Sequence, residues 1–240
     1  LRNILSATSV ALAKVVGAEQ VASHLPRLCA GLGLAGANAA GAADWLGNRL
    51  PFADARIVTD AVTSTMGALG AADGIVAAIG TGSVFTVQRG GVMRQIGGWG
   101  LALGDEGSGA VLGRALLARA LRARDGALPP TPLLRAVLDE FGSAEAVVSF
   151  SLRATGADYA RFAPRLVRSD DPAAIAIMGQ AVVEVRGSIA ALQGDTPLAV
   201  TFIGGLGPTY AAHITDWPQQ AAAGSALDGA VRLAIEGLGP

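Results

Sequence analysis

Residues 74–109 read GIVAAIG, TGSVFTVQRGG, VMRQIGGWG, LALGDEGSG, and the organisation of the chain is worked out from them. Three apolar runs of strand length are separated by Gly80-Thr81-Gly82-Ser83 and by Gly90-Gly91, which predicts a β-meander turning at those glycines. The stretch then changes character. From Gly97 to Gly109 most residues are glycine or carboxylate, Asp105 and Glu106 are adjacent, and a helix over 107–125 is predicted to follow. Glycine carries a high backbone entropy cost, so this segment is poor loop filler and is expected to let something approach the chain. Asp105 and Glu106 suit sugar hydroxyls or a metal shell. Alternatively they cap the following helix, whose dipole favours negative charge.

On the N-terminal side, residues 55–60 (ARIVTD) read as a strand ending at Asp60, and residues 27–36 as a strand running into a turn. With helices predicted over 1–23, 38–50 and 61–70, this is a βαβ pattern with parallel strands. A lobe boundary is placed near residues 71–74. On the C-terminal side, helices are predicted over 131–141, 143–150, 158–168 and 171–193, with caps at Thr131, Ser143 and Asp170. A strand at 198–203 leads into Gly204-Gly205-Leu206-Gly207, and a helix over 224–238 closes the chain.

Composition excludes several classes. The 240 residues are 51% apolar and 15% charged, the latter well below the roughly 25% of an ordinary domain. The net charge of −1, with no basic cluster, argues against a nucleic-acid binder held by phosphate contacts. Cys29 is the single cysteine, so no disulfide, four-cysteine zinc site or iron–sulfur cage forms within the chain. His24 and His213 lack ligand spacing, and with Trp45 and Trp217 they read as structural or surface residues. Mean hydropathy is positive at +0.46, yet every apolar run is interrupted before 18 residues. The single lysine, Lys14, lies between Ala13 and Val15, which rules out a Walker A loop. Any nucleotide is then held in some other way.

Individual motifs leave alternatives open. Gly31-Leu32-Gly33-Leu34-Ala35-Gly36 matches a dinucleotide turn, with Asp54 at roughly the spacing of the ribose acid, or is a tight turn with close backbone packing. Gly80 to Ser83 can cradle phosphate or simply form a hairpin turn. Asp60 is either a helix N-cap or a general base. Gly204 to Gly207 folds over a nucleotide or is a turn. The glycines gather at 80–82, 97–109, 204–207 and 224–229.

Taken in order, Thr59-Asp60-Ala61, Gly80-Thr81-Gly82-Ser83, Gly97-Gly98-Trp99-Gly100 with Gly104-Asp105-Glu106-Gly107-Ser108, Gly204-Gly205 and Gly224-Ser225-Ala226-Leu227-Asp228-Gly229-Ala230 resemble one family. It is the N-acetylglucosamine/glucosamine kinases, grouped with the activator ATPases of benzoyl-CoA reductase and 2-hydroxyacyl-CoA dehydratase. The likeness runs from about residue 27 to 236, and GGWG followed by GDEGS is its specific part.

The resemblance implies an α/β actin-like ATPase fold, two ribonuclease-H-like lobes around a cleft that holds ATP. Residues 1–72 are then the remainder of an N-terminal lobe, incomplete at its start, on which helix 224–238 packs back. Residues 73–223 form the second lobe, with a helical insertion over about 130–193. The implied activity is ATP-dependent phosphorylation of N-acetylglucosamine or glucosamine, with ATP and Mg2+ as cofactors. Asp60 is the implied catalytic base. Gly98, Trp99, Asp105 and Glu106 fall on the sugar pocket, Gly80, Thr81, Gly82 and Ser83 on the second phosphate loop, and Gly204 and Gly205 on the adenosine motif. No residue is assigned to hold metal. The implied partner is a small sugar, with no nucleic acid and no membrane, in the cytoplasm, and a homodimer is allowed. Alternatives on the same fold are an activator ATPase and a non-catalytic sugar sensor. The family opens with a phosphate-1 turn of Asp-Gly-Gly-Gly-Thr type that is absent here. The expectation is therefore a longer native chain, with these residues alone inactive.

Overall fold

The computed structural model describes residues 1–37 and 41–236. The parts of the expected helices 38–50 and 224–238 that fall on 38–40 and 237–238 lie outside the described residues. In chain order the elements are α1 (Arg2–Val16), α2 (Val21–His24), β1 (Cys29–Gly33), α3 (Ala42–Gly47), β2 (Asp54–Val58) and α4 (Asp60–Leu69). Then come β3 (Gly74–Ile79), β4 (Ser83–Arg89), β5 (Val92–Gly97), α5 (Gly109–Arg124), α6 (Pro132–Phe141) and α7 (Ala144–Ser151). The last are α8 (Gly156–Ala160), α9 (Ala163–Val167), α10 (Pro172–Ala190), β6 (Val200–Ile203), α11 (Gly207–His213) and α12 (Ala226–Glu236). Two compact units result: Leu1–Ala72 with Ala222–Pro240, and Asp73–Ala221.

In the first unit β1 and β2 run parallel, with Leu32 opposite Ile57 and Gly33 opposite Val58. The expected 1–23 helix stops at Val16, because Gly17 turns to φ +88° and 3₁₀ turns with the four-residue α2 follow. Gly31 and Gly33 lie inside the strand, not in a strand-to-helix turn, which removes the dinucleotide reading. Their missing side chains have a packing cause. A Cβ on Gly31 would sit 2.0 Å from the Ala230 carbonyl oxygen of α12, and one on Gly33 would sit 2.0 Å from Thr63 Oγ1 of α4. The glycines of 224–229 are likewise not all aimed at a ligand. Gly229 lets α12 lie backbone to backbone on α4, since a Cβ there would be 1.9 Å from the Thr63 carbonyl oxygen. Ser225 and Asp228 close the start of α12 reciprocally. The Asp228 carboxylate accepts from Ser225 N–H at 2.7 Å, and Ser225 Oγ accepts from Asp228 N–H at 3.3 Å. The Ser225 hydroxyl, which donates to the Asp228 carboxylate at 2.6 Å, and then the Ser225 N–H hold this carboxyl below its ordinary range.

In the second unit the meander forms where the apolar runs predict it. Gly90 and Gly91, at φ +56° and +77°, make the two-residue turn between β4 and β5 that requires positive φ twice. The sheet order is β5-β4-β3-β6, antiparallel except that β6 lies parallel to β3. Alternation along the strands sends Ile75, Ala77, Ile79, Phe85, Val87 and Val200 into one core with α5, α6, α10 and α11. Helix α10 is long and apolar enough to cross a bilayer by length and composition. In the structure it contributes Ala173, Ala174, Ile177, Met178, Ala181, Val185 and Ile189 to the core of this unit. The expected helix 158–168 divides into α8 and α9, and α11 is an element the sequence reading did not contain.

The cap of α10 is Asp171, one residue beyond the expected Asp170. Its buried carboxylate accepts from Ala173 N–H at 2.8 Å and from Leu133 N–H of α6 at 2.9 Å, joining two helix starts. Burial works to raise this carboxyl, but the hydrogen bonds from Leu133, the Thr131 side chain and Ala173 outweigh it and hold the group below its ordinary value. Asp171→Ala is expected to cost about 2 kcal/mol, a lost cap plus an orphaned N–H. Because the folded pKa is depressed, this stabilisation is present above the unfolded pKa of about 3.9 and is lost as pH falls through the folded value. Urea melts of wild type and variant should therefore converge in acid.

Candidate functional site

Three loops of the second unit meet at one end of its strands. β3 ends at Ile79, and Gly80 turns the chain toward β4, its N–H donating to the Gly82 carbonyl at 2.9 Å. The other two carbonyls of the turn are taken by the start of α5: Gly109 N–H donates to Gly80 at 2.8 Å and Ala110 N–H to Thr81 at 3.1 Å. With its carbonyls engaged, the turn keeps the amides of Thr81 and Gly82 without a protein acceptor among the described residues. Gly80 faces open space. Free amides beside an open approach are what a phosphate oxygen needs.

The second loop runs from Gly98 to Ser108. Gly98, at φ +73°, donates its N–H to the Ser83 carbonyl at 3.1 Å. Trp99 is 68% exposed, so its indole face is open to solvent. Asp105 adopts φ +61° and is the one non-glycine residue in the left-handed region among those described. Such a conformation is strained and persists where the surroundings enforce it. Asp105 is nonetheless 9% exposed, and its carboxylate overlies the phosphate-type turn, Oδ2 lying 3.0 Å from where a Gly82 Cβ would stand. No described residue donates a hydrogen bond to that carboxylate, which keeps its acceptor capacity free. The cap of α5 is Ser108, whose Oγ accepts from Val111 N–H at 3.2 Å, so capping by Asp105 or Glu106 is overturned. Glu106 is half-buried and tied to the first loop through its carbonyl, which accepts from Ser83 Oγ at 2.8 Å.

The third loop follows β6. Gly204, at φ +86°, lies so close to β3 that a Cβ would be 2.4 Å from the Ile79 carbonyl oxygen. Leu206 N–H donates to that same oxygen at 3.0 Å, while Gly205 faces open space. Helix α11 then begins with Gly207-Pro208 and carries Tyr210, which is fully buried. The Tyr210 hydroxyl donates to the Gly107 carbonyl at 2.5 Å. Burial, with the negative charge of Glu184 second, pushes this phenol well above its ordinary range. Sequence reasoning missed Tyr210. The proline at the second helical position was the available signal for a helix start there.

Asp60 belongs to the first unit. It is the first residue of α4, but the cap is Thr59, whose Oγ1 accepts from Val62 N–H at 3.4 Å. The N-cap reading of Asp60 is therefore wrong. Its exposed carboxylate accepts from Ala61 N–H through Oδ1 at 3.0 Å. Thus the structure gathers Gly80, Thr81, Gly82, Ser83, Gly98, Trp99, Asp105, Glu106, Gly204 and Gly205 within the second unit, and Asp60 stands at a helix start of the first. Among the described residues no group of three or more His, Cys, Asp or Glu side chains could hold a metal ion. Magnesium needs only one or two carboxylates when phosphate oxygens and waters complete its shell, so the donor set fits a metal carried by nucleotide phosphates.

Comparison with known proteins agrees with this architecture. Residues 19–224 match the BadF/BadG/BcrA/BcrD ATPase family. The glucosamine kinase GspK of Vibrio cholerae is 31% identical over 230 residues, 90% of this chain and 76% of that protein. A solved structure assigned as an N-acetylglucosamine kinase, from Chromobacterium violaceum, is 33% identical, with a TM-score of 0.78 over 96% of this chain and 87% of the other. A second so assigned, from Porphyromonas gingivalis, is 22% identical, with a TM-score of 0.65 over 98% and 85% of the two chains, and supports the fold. The α/β architecture is that of the actin-like ATPases. The match covers most of the chain, and the protein belongs to the BadF/BadG/BcrA/BcrD ATPase family.

Proposed function

We propose that the protein is an ATP-dependent amino-sugar kinase acting on glucosamine or N-acetylglucosamine. The observation that carries this reading is the meeting of a turn with free amides, at Thr81 and Gly82, with a buried carboxylate whose acceptor capacity is unused, at Asp105. A phosphate needs the first, and hydroxyl groups need the second. The names of the relatives in Vibrio cholerae and Chromobacterium violaceum support the same choice of substrate.

In this reading the Thr81 and Gly82 amides donate to phosphate oxygens of ATP, and the open faces of Gly80 and Gly205 admit the nucleotide. Asp105 accepts from sugar hydroxyls, and the exposed Trp99 offers an apolar face to the ring. Asp60 acts as general base, taking the proton from the acceptor hydroxyl as its oxygen bonds to the γ-phosphorus and the bond to ADP breaks. Phosphoryl transfer asks mostly for positioning and charge stabilisation. Magnesium, when bound, neutralises charge on the phosphate oxygens.

ADP release by the full-length protein, measured over a panel of hexoses, tests the assignment. Glucosamine or N-acetylglucosamine is expected to stimulate release at least tenfold over glucose. ADP release independent of any sugar would favour the activator ATPase reading, and none at all the sugar sensor.

A further inference from the structure

The turn that carries Asp105 is tied to both of the loops assigned to nucleotide. Three successive carbonyls, those of Asp105, Glu106 and Gly107, each accept one bond: from Ser108 N–H at 2.9 Å, Ser83 Oγ at 2.8 Å and Tyr210 Oη at 2.5 Å. Ser83 ends the 80–83 loop, and Tyr210 lies on α11 directly after the 204–207 loop. The fit around Gly107 is tight. It adopts φ +72°, and a Cβ would stand 2.3 Å from Val185 Cγ2 and 2.9 Å from Tyr210 Oη. The turn therefore rests on a platform made by Val185 and Tyr210, and α11 cannot shift without pulling on Gly107.

We infer that Tyr210 is a positioning residue that couples occupancy of the nucleotide loops to the placement of Asp105, so that nucleotide tightens sugar binding through the Tyr210–Gly107 bond. This rests on the amino-sugar kinase reading. Tyr210 does not touch the substrates in that reading; it acts through the turn. The strained φ of Asp105 is held by the three carbonyl bonds, and losing the tie from Gly107 to α11 leaves the other two to hold it alone. Allosteric coupling of this kind is an equilibrium quantity and reciprocal, so it is read by binding and not by rate alone.

The test is titration calorimetry of glucosamine into the full-length protein, with and without a non-hydrolysable ATP analogue and Mg2+. In wild type the analogue is expected to lower the glucosamine Kd at least fivefold, within the usual range of coupling energies. In Tyr210→Phe, which removes only the hydroxyl, the effect should fall below twofold. Val185→Ala, which loosens the same platform without a hydrogen bond, should keep at least half of it. Full coupling in Tyr210→Phe, or none in wild type, overturns the inference. Hydrogen exchange of wild type supplies a second readout that needs no variant: the analogue alone should slow exchange across 104–110, and unchanged exchange there also overturns it. Failure of the kinase reading has a different signature, since wild type would then give no heat with glucosamine or N-acetylglucosamine. In that case the exchange response to the analogue still decides whether the nucleotide loops and the turn are coupled.

Discussion

Asp60→Asn in the full-length protein is expected to lower kcat for sugar-dependent ADP release by about a thousandfold, the middle of the range for a lost general base. Nucleotide affinity should stay within about threefold and stability within about 1 kcal/mol, the most that one charge at a helix start contributes. The local structure is what makes these expectations separable. Thr59, not Asp60, caps α4, so the substitution does not uncap the helix. Asparagine keeps an oxygen for Ala61 N–H, which Asp60 Oδ1 now accepts at 3.0 Å. Only the capacity to take a proton is removed. Thr59→Ala is the complementary control, expected to cost about 1 kcal/mol of stability through the lost cap while kcat falls much less. If Asp60→Asn turned over within tenfold of wild type, the base would have to be sought elsewhere.

The parts of this chain that were legible in its sequence are those whose cause is local. The β4–β5 turn was readable because Gly90-Gly91 states its own backbone requirement. Thr131 and Ser143 were readable as caps because a single hydroxyl residue stands at each start. Where two capping residues are adjacent, the choice is made by backbone geometry: Thr59 takes the extended conformation at ψ 155° and leaves Asp60 inside the helix. The same applies at Asp170-Asp171, where the buried bond to Leu133 selects the second. The 158–168 region reads as one helix by periodicity, and Pro164 near the start of α9 was the overlooked punctuation. Other features have causes far away in the chain. Gly31 is a glycine because α12 crosses β1, and Gly107 is one because Tyr210, 103 residues on, stands beneath it. The glycine-carboxylate segment marked the site, but the three carbonyl ties that shape it lie beyond sequence pattern.

Gly229→Ala is expected to damage the fold severely. A Cβ at Gly229 would stand 1.9 Å from the Thr63 carbonyl oxygen and 2.7 Å from Gly67 N. The contact is mutual, because a Cβ on Gly67 would stand 1.8 Å from the Ser225 carbonyl oxygen. Both neighbours are backbone atoms of helices, so no rotamer change relieves the clash and α12 must lift from α4. Overpacking usually costs about 1–3 kcal/mol. Here the displaced contact is helix on helix, and about 3 kcal/mol or more is expected. Helix propensity pulls the other way by about 1 kcal/mol, since alanine outranks glycine in a helix interior. Gly179→Ala isolates that favourable component. Gly179 lies in α10, is exposed, and has nothing within 4 Å of its would-be Cβ, so this change should stabilise by about 0.5–1 kcal/mol. The two variants are chemically identical and differ only in what the new methyl meets. Thermal melts that moved both in the same direction would mean that α12 does not pack on α4 in this way. Lifting α12 also frees Thr63, whose hydroxyl donates to the Asp60 carbonyl at 3.1 Å. Gly229→Ala is accordingly expected to lower kcat as well as stability, through the helix start that carries the proposed base.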